Sequence, residues 1–329
     1  MNAPRRVGIR GTGSYVPERV LSNEDLQSMV DTSDEWITTR TGIKERRLVA
    51  DGENASDMAV AAAKRALEAA GMTADQLGLI LVATVSGDYL FPSTACLVQA
   101  KLGAPQVGCV DLGAACSGFV YALSTAHAMA SMGVADNILV VGVEALSRIT
   151  DYEDRASCIL FGDGAGAVIV SSEFDRAELL SSSLAAEGEG EDVIKLPAGG
   201  TARPASHDTV DEKLHTMRLR GREVYKFAVS KMVKLVENAK TRHDDLELGY
   251  VVPHQVNLRI IESARQRLEL REDQVFVNIH RYGNTSAASI PIGLDEAVRG
   301  GVLDPHSGRL VVLCAFGAGL TWGSVSLKW

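Results

Sequence analysis

Among the side chains able to form a covalent bond, Cys116 has the most informative setting. It follows a short apolar run over 107–111 and a turn of small residues, Gly113-Ala114-Ala115. It then opens a stretch over 119–132 that is apolar nearly all round and stops at Gly133. That order predicts a strand, a tight turn and a buried helix with the thiol at its N-terminus. Unpaired N–H groups and the helix dipole favour an anion there, so the thiolate is expected to be more accessible at neutral pH and able to act as a nucleophile. Most free cysteines are instead small core residues, and Cys96, Cys109, Cys158 and Cys314 are read that way. Five cysteines without a Cys-x-x-Cys pair fit neither a disulfide framework nor a zinc knuckle, so reduced thiols are expected.

His254 follows Tyr250-Val251-Val252-Pro253, which puts it at the end of a strand, where sites in α/β proteins form. A lone histidine is more often structural, and the other six have no comparable context. Asn284 stands in Gly283-Asn284-Thr285-Ser286, a string that equally suits a helix N-cap or a turn. The glycine strings do not read as dinucleotide loops. Residues 162–166 lead into the apolar run 167–171 rather than a helix, and Gly11-Thr12-Gly13 lacks a third glycine. Close backbone packing around a site is the better account of them.

The elements that must carry these residues form an α/β pattern with a largely parallel sheet. Strands are expected over 79–84, 107–111, 138–143, 167–171, 250–252, 275–279 and 310–313, and helices over 57–71 and 225–239. An internal repeat runs through them. Leu77-Gly78 and Leu248-Gly249 each open a strand after a helix, at an offset of 171 residues. The Cys116 turn pairs with the Asn284 turn at an offset of 168, and Phe161-Gly162-Asp163-Gly164 pairs with Phe316-Gly317-Ala318-Gly319 at 155. Shared order suggests two halves of like topology, 1–173 carrying the nucleophile and 174–329 carrying the histidine and asparagine. The stretch 185–218, rich in glycine and proline, reads as an excursion without a core pattern.

With 329 residues, 46% hydrophobic and 23% charged, the chain has the composition of a globular protein. A net charge of -9 argues against a general nucleic-acid binder. The N-terminus has Arg5 and Arg6 without a following apolar region, so a cytoplasmic protein is expected. No apolar run is long enough to span a bilayer, and membrane insertion is not expected.

Taken together, the motifs resemble one family across nearly the whole chain, the β-ketoacyl-ACP synthase III enzymes of type II fatty-acid synthesis. They are Asp34-Glu35-Trp36-Ile37 with Arg40-Thr41-Gly42-Ile43, Ala114-Ala115-Cys116-Ser117-Gly118, and 161–167. To these add Val252-Pro253-His254-Gln255-Val256-Asn257, Gly283-Asn284-Thr285-Ser286, and Phe316-Gly317-Ala318-Gly319. The resemblance implies a five-layered αβαβα thiolase fold and a homodimer. It implies a Cys116, His254 and Asn284 triad, unlike the Cys-His-His set of elongating synthases or the Cys-His-Cys set of thiolases. Chalcone-synthase-like enzymes share Cys-His-Asn but are usually longer.

The same resemblance implies an acyl-cysteine intermediate formed from an acyl-CoA, then condensation with malonyl-ACP as carbon dioxide leaves. The oxyanion hole would be the backbone N–H groups of Cys116 and Ala318. CoA would meet Trp36, Arg40, Arg155 and Asn257, and the acyl pocket would be shaped by Phe91, Leu146, Phe161 and Phe316, with Phe91 reaching in from the partner protomer. Acyl carrier protein would dock on Lys226, Arg259, Arg265 and Arg267. A small primer such as acetyl-CoA is expected, and neither a metal nor a resident cofactor. Three rivals are a cysteine hydrolase, a synthase of specialised metabolism and a noncatalytic carrier-binding subunit. The first is opposed by the duplication, the last by the intact triad.

Overall fold

The computed structural model describes residues 4–304 and 307–329. Nine strands, numbered here in chain order, form the main sheet: β1 Gly8–Tyr15, β2 Leu79–Ala83, β3 Gly108–Leu112, β4 Asn137–Glu144, β5 Gly164–Ser171, β6 Ala177–Ala186, β7 Leu248–Pro253, β8 Leu310–Gly317 and β9 Thr321–Lys328. Their spatial order is β7-β8-β9-β6-β1-β5-β4-β2-β3. Only two residue pairs, Gly8 with Glu178 and Ile9 with Ala177, join β1 to β6. The sheet is thus two sheets hinged at that seam. The expectation of a largely parallel sheet is corrected to a mixed one: β2 runs parallel to β3 and β4, and β7 to β8, while the remaining pairs are antiparallel.

Side-chain alternation along these strands feeds two faces. Leu79, Leu81, Ile138, Val140, Val168 and Val170 enter one core together with Val311, Leu313 and Val325 from the other half. Ile80, Val82, Leu139, Val141 and Ile169 face an outer core made with helix α1, Ala55–Ala69, and helix α2, Thr94–Leu102. The central core is filled by α3, Gly118–Ser131, and α6, Ser289–Arg299. On the far side, α4, Gly221–Arg242, and α5, Leu258–Arg267, cover Leu310, Val312 and Cys314. The result is five layers, helix, sheet, helices, sheet, helix, as a thiolase fold requires. Strands buried on both faces explain the continuous apolar runs. Gly142 lets the central layer seat: a Cβ there would lie 2.3 Å from the Ala287 carbonyl oxygen.

The two halves match strand for strand, β1-β5-β4-β2-β3 against β6-β9-β8-β7 and a fifth segment. That segment contains the expected strand 275–279, which the structure corrects. Val275 makes a single bridge to Val251, and the chain then turns into a short helix, Ile279–Tyr282. The 168-residue pairing of Cys116 with Asn284 is also corrected. The equivalent turns are the 3-10 turns Ala115–Ser117 and Ser286–Ala288, each opened by a residue with positive φ, Ala115 at 44° and Ser286 at 48°. The offset is 171 again, so Cys116 corresponds to Ala287 and Asn284 to Gly113. The offset of 155 arises because 145–163 join β4 to β5, whereas only 318–320 join β8 to β9. Position 173 falls in the link between β5 and β6. The excursion 185–218 does contribute to a core: Ile194–Lys195 pairs with Arg218–Leu219, and Met217 packs on Leu146 and Phe161.

Candidate active site

Cys116 lies in the 3-10 turn that leads into α3, two residues before the helix proper. Gly317, at the end of β8, presses against it: a Cβ on Gly317 would stand 2.8 Å from the Cys116 nitrogen. The Thr321 hydroxyl oxygen, within 3.0–3.2 Å of Ala114 O, Ser117 Oγ and Ala318 O, pins the two loops together. The thiol lines a cavity of ≈ 330 Å³ that also receives His254, Asn284, Ser286 and Ala318. The expected ease of ionisation is corrected here. Burial pushes the thiol up to about 11; the neighbouring Ser286 hydroxyl opposes this and the nearby Glu144 charge adds to it. Desolvation outweighs the helix dipole, which is worth about 1 kcal/mol or less at most sites.

His254 follows β7 and is fixed at both ends. Its N–H donates to Cys314 O at 2.8 Å, and its ring Nδ1 lies 2.7 Å from Ser289 Oγ at the start of α6. The Ser289 oxygen also accepts the Gln255 N–H at 3.3 Å. That contact takes one of the hydroxyl's two lone pairs, and among the described residues Nδ1 is the acceptor within reach of its hydrogen, which assigns the imidazole proton to Nε2. Nε2 is buried and has no hydrogen-bond partner among the described residues. Burial holds the ring down to about 3, so it is neutral across the physiological range. The ring stands edge-on to Phe316 at 5.7 Å.

Asn284 is positioned by its backbone, which donates to Leu160 O at 2.8 Å and accepts from Gly162 at 3.1 Å. Gly283 before it has φ 63° and would drive a Cβ to 2.6 Å from Leu160 O. The Asn284 Oδ1 accepts the Ser286 N–H at 2.8 Å, leaving the side-chain NH2 for the cavity. Two neutral donors, His254 Nε2–H and Asn284 Nδ2–H, therefore share a largely apolar cavity with a thiol. That arrangement suits an oxyanion forming beside a sulfur nucleophile.

Leu146, Phe161 and Phe316 line the same cavity, and so do Ile149, Met217 and Leu219. Phe91 is not brought to it; with Tyr89 and Leu90 it projects into solvent, 85% exposed. Trp36 is flanked by the Arg40 and Arg155 guanidinium groups at 4.8 and 5.0 Å from its ring centre. Asn257, on the cavity wall, donates to Arg40 O at 3.0 Å and caps α5 through Arg259 N at 2.9 Å, which sets this cluster at the cavity rim. Lys226 on α4 and Arg259 and Arg267 on α5 are exposed, on helices that contribute Tyr225, Phe227 and Ile260 to the wall. Arg265 differs from them: its side chain is 16% exposed and paired with Glu262 and Glu272.

Sequence reasoning missed Ser289, Glu144 and the wall residues of the excursion. Ser289 stands just five residues beyond Asn284, but nothing in its local pattern points to His254. Among the described residues, no group of three or more His, Cys, Asp or Glu side chains is disposed to hold a metal ion, and no helix is long and apolar enough to cross a membrane.

Comparison with known proteins places this geometry. Residues 110–188 match the model for 3-oxoacyl-[acyl-carrier-protein (ACP)] synthase III, and 236–329 match the model for its C-terminal part. A β-ketoacyl-[acyl-carrier-protein] synthase III of Caldanaerobacter subterraneus subsp. tengcongensis is 50% identical, over 98% of this chain and 97% of the relative. That of Symbiobacterium thermophilum is also 50% identical, over 99% and 98%. The crystal structure of 3-oxoacyl-[acyl-carrier-protein] synthase III from Aquifex aeolicus VF5 superposes with a TM-score of 0.89 at 45% identity, covering 98% of this chain and all of that one.

Proposed function

The chain belongs to the β-ketoacyl-[acyl-carrier-protein] synthase III family of condensing acyltransferases, and from that premise we propose that it joins a short acyl-CoA, acetyl-CoA first among them, to malonyl-ACP through an acyl-Cys116 intermediate. The observation that carries this reading is the convergence of Cys116, His254 and Asn284 on one apolar cavity, with His254 neutral and its Nε2 unpartnered.

In the first stage the Cys116 sulfur attacks the thioester carbonyl and CoA leaves as its thiol, dividing the condensation into two easier steps. The Cys116 and Ala318 N–H groups hold the tetrahedral oxyanion, at a point where Gly317 brings the two loops into contact. In the second stage malonyl-ACP loses carbon dioxide and its thioester oxygen takes up negative charge. His254 Nε2–H and Asn284 Nδ2–H donate to that enolate. Its carbon attacks the acyl group and gives the 3-oxoacyl-ACP, and the expelled Cys116 sulfur takes a proton from solvent to return to the resting thiol. A neutral imidazole suits this role, because it donates without surrendering a proton.

CoA enters along the Asn257 side, its adenine against Trp36 and Arg155 and its phosphates near Arg40. Acyl carrier protein, which is acidic, docks on Lys226, Arg259 and Arg267; the pairing of Arg265 makes it the weakest of the four contributors. The exposure of Tyr89, Leu90 and Phe91 supports a homodimer in which Phe91 limits the partner's acyl pocket. We place the enzyme in the cytoplasm and assign it no metal or resident cofactor.

The test is to incubate the protein with acetyl-CoA and malonyl-ACP and to follow carbon dioxide and acetoacetyl-ACP. Both appearing in equal amounts, and both lost in His254→Ala and Asn284→Ala, supports the reading. Free acetate without acetoacetyl-ACP would instead make the protein a thioester hydrolase.

A further inference from the structure

The site holds a nucleophile that burial keeps protonated and a histidine that burial keeps from accepting a proton. Yet sulfur attack on a thioester requires the S–H proton to leave. The side chains around the thiol offer one route. Ser286, 171 residues beyond Ala115 at the head of the equivalent turn, lines the same cavity as Cys116, and its hydroxyl lies near enough to the thiol to bear on its ionisation. The same hydroxyl donates to Glu144 Oε1 at 3.0 Å. Glu144 closes β4, is fully buried and makes no ion pair among the described residues.

The two carboxylate oxygens are used differently. Oε2 accepts from the Val85 N–H at 3.1 Å, from the Ser86 hydroxyl and from the Thr84 hydroxyl at 3.3 Å. Oε1 has Ser286 as its hydrogen-bond partner. Oε1 is thus an acceptor aimed, through one hydroxyl, at the nucleophile. A buried carboxylate with no cation beside it is expensive unless its proton can come and go. Burial accordingly raises Glu144 to about 7, with the surrounding hydrogen bonds pulling the other way.

We propose that Glu144, acting through the Ser286 hydroxyl, accepts the proton that Cys116 releases as its sulfur attacks the acyl thioester. The transfer balances without another reactant. The Cys116 S–H proton passes to Ser286 Oγ while the Ser286 O–H proton passes to Glu144 Oε1, leaving a thiolate, an intact hydroxyl and a neutral carboxylic acid. The reverse shift delivers the proton to the departing CoA sulfur, so the relay is reset after each acylation. Net charge inside the cavity is unchanged throughout acylation, which avoids placing two anions side by side in a medium of low dielectric during that step. The groups that face Glu144 are Thr84, Val85 and Ser86 after β2, Gly164 at the start of β5, Ser286, and Cys116; of these only Cys116 titrates.

This rests on the acyl-cysteine reading, and the experiment separates the two. Single-turnover acetylation of Cys116 by acetyl-CoA is measured by intact mass over roughly pH 5 to 9 for the native chain, Glu144→Gln, Glu144→Asp and Ser286→Ala. Alkylation by iodoacetamide, which needs the thiolate but no acyl substrate, is measured in parallel. For the native chain the relay predicts rates that rise with pH and level off above neutrality. Glu144→Gln and Ser286→Ala lose that inflection and fall on the order of 10²-fold below the native plateau at unchanged acetyl-CoA affinity, whereas Glu144→Asp keeps the inflection. The Gln variant is discriminating. Removing a nearby negative charge by itself favours the thiolate, so a purely electrostatic or structural Glu144 predicts equal or faster alkylation. Glu144→Gln and Ser286→Ala that both react with the native rate and profile overturn the proposal. A native chain that alkylates but takes no acetyl group counts against the acyl-cysteine reading, and the alkylation profiles then decide the relay.

Discussion

Ser289→Ala isolates the tautomer of His254. In the native site the Ser289 oxygen accepts the Gln255 N–H and its hydrogen points to His254 Nδ1, so the imidazole carries its proton on Nε2. The opposite tautomer would make Ser289 accept from both groups and bury its own hydrogen without an acceptor, a cost of about 1–3 kcal/mol. That difference holds the donor form in excess by roughly 5- to 150-fold. Without the hydroxyl the two tautomers become comparable and the ring loses its anchor. Decarboxylation of malonyl-ACP should fall by about 10- to 100-fold, since a donor to the enolate is lost for part of the time and misaimed for the rest. Acylation of Cys116 should change little, because the thiol does not depend on this contact. Release of labelled carbon dioxide measures one half-reaction and intact-protein mass the other. Native decarboxylation rates in a folded Ser289→Ala would refute the tautomer argument; equal loss of both half-reactions would show that Ser289 merely holds the site together.

Gly142→Ala should destabilise the protein by about 1–3 kcal/mol, because its Cβ would fall 2.3 Å from Ala287 O and force the central helices off the sheet; urea unfolding measures it. Met217→Ala removes a wall residue between Leu146 and Phe161, and the ratio of hexanoyl-CoA to acetyl-CoA acylation should rise on the order of 10-fold. His254 is lowered from 6.5 to about 3 in the fold, so the folded state binds fewer protons than the unfolded chain in that window. Its contribution to stability is complete above the unfolded value and is lost as pH falls from there towards 3; His254→Gln should therefore flatten that limb of a stability-against-pH curve.

How much of this was legible in the sequence depended on whether a residue's partners were close along the chain. The strand ends that present Cys116 and His254 were visible, because apolar runs followed by small residues mark where a sheet gives way to a turn. The motif Gly283-Asn284-Thr285-Ser286 identified the right neighbourhood, yet its alignment with Cys116 slipped by three residues. Matching small-residue strings does not reveal which residue takes the positive φ, and Ala115 and Ser286 are what fix the register. Glu144 went unread because its partner Ser286 lies 142 positions away. The run 275–279 has strand composition but too little partner edge, with Val275 alone bridged. Met217 sits in a polar excursion whose single buried methionine carries no periodic signal; only the packing of that ribbon over Leu146 and Phe161 gives it a place in the cavity.

The central claim is that Cys116 carries the acyl group between the two substrates, and mass spectrometry of the intact chain after brief exposure to acetyl-CoA addresses it most directly. The account predicts a single acetyl adduct that maps to Cys116, is absent in Cys116→Ala, and disappears as acetoacetyl-ACP forms when malonyl-ACP is added. An unmodified chain that still makes acetoacetyl-ACP, or an adduct that survives the Cys116→Ala substitution, would contradict it.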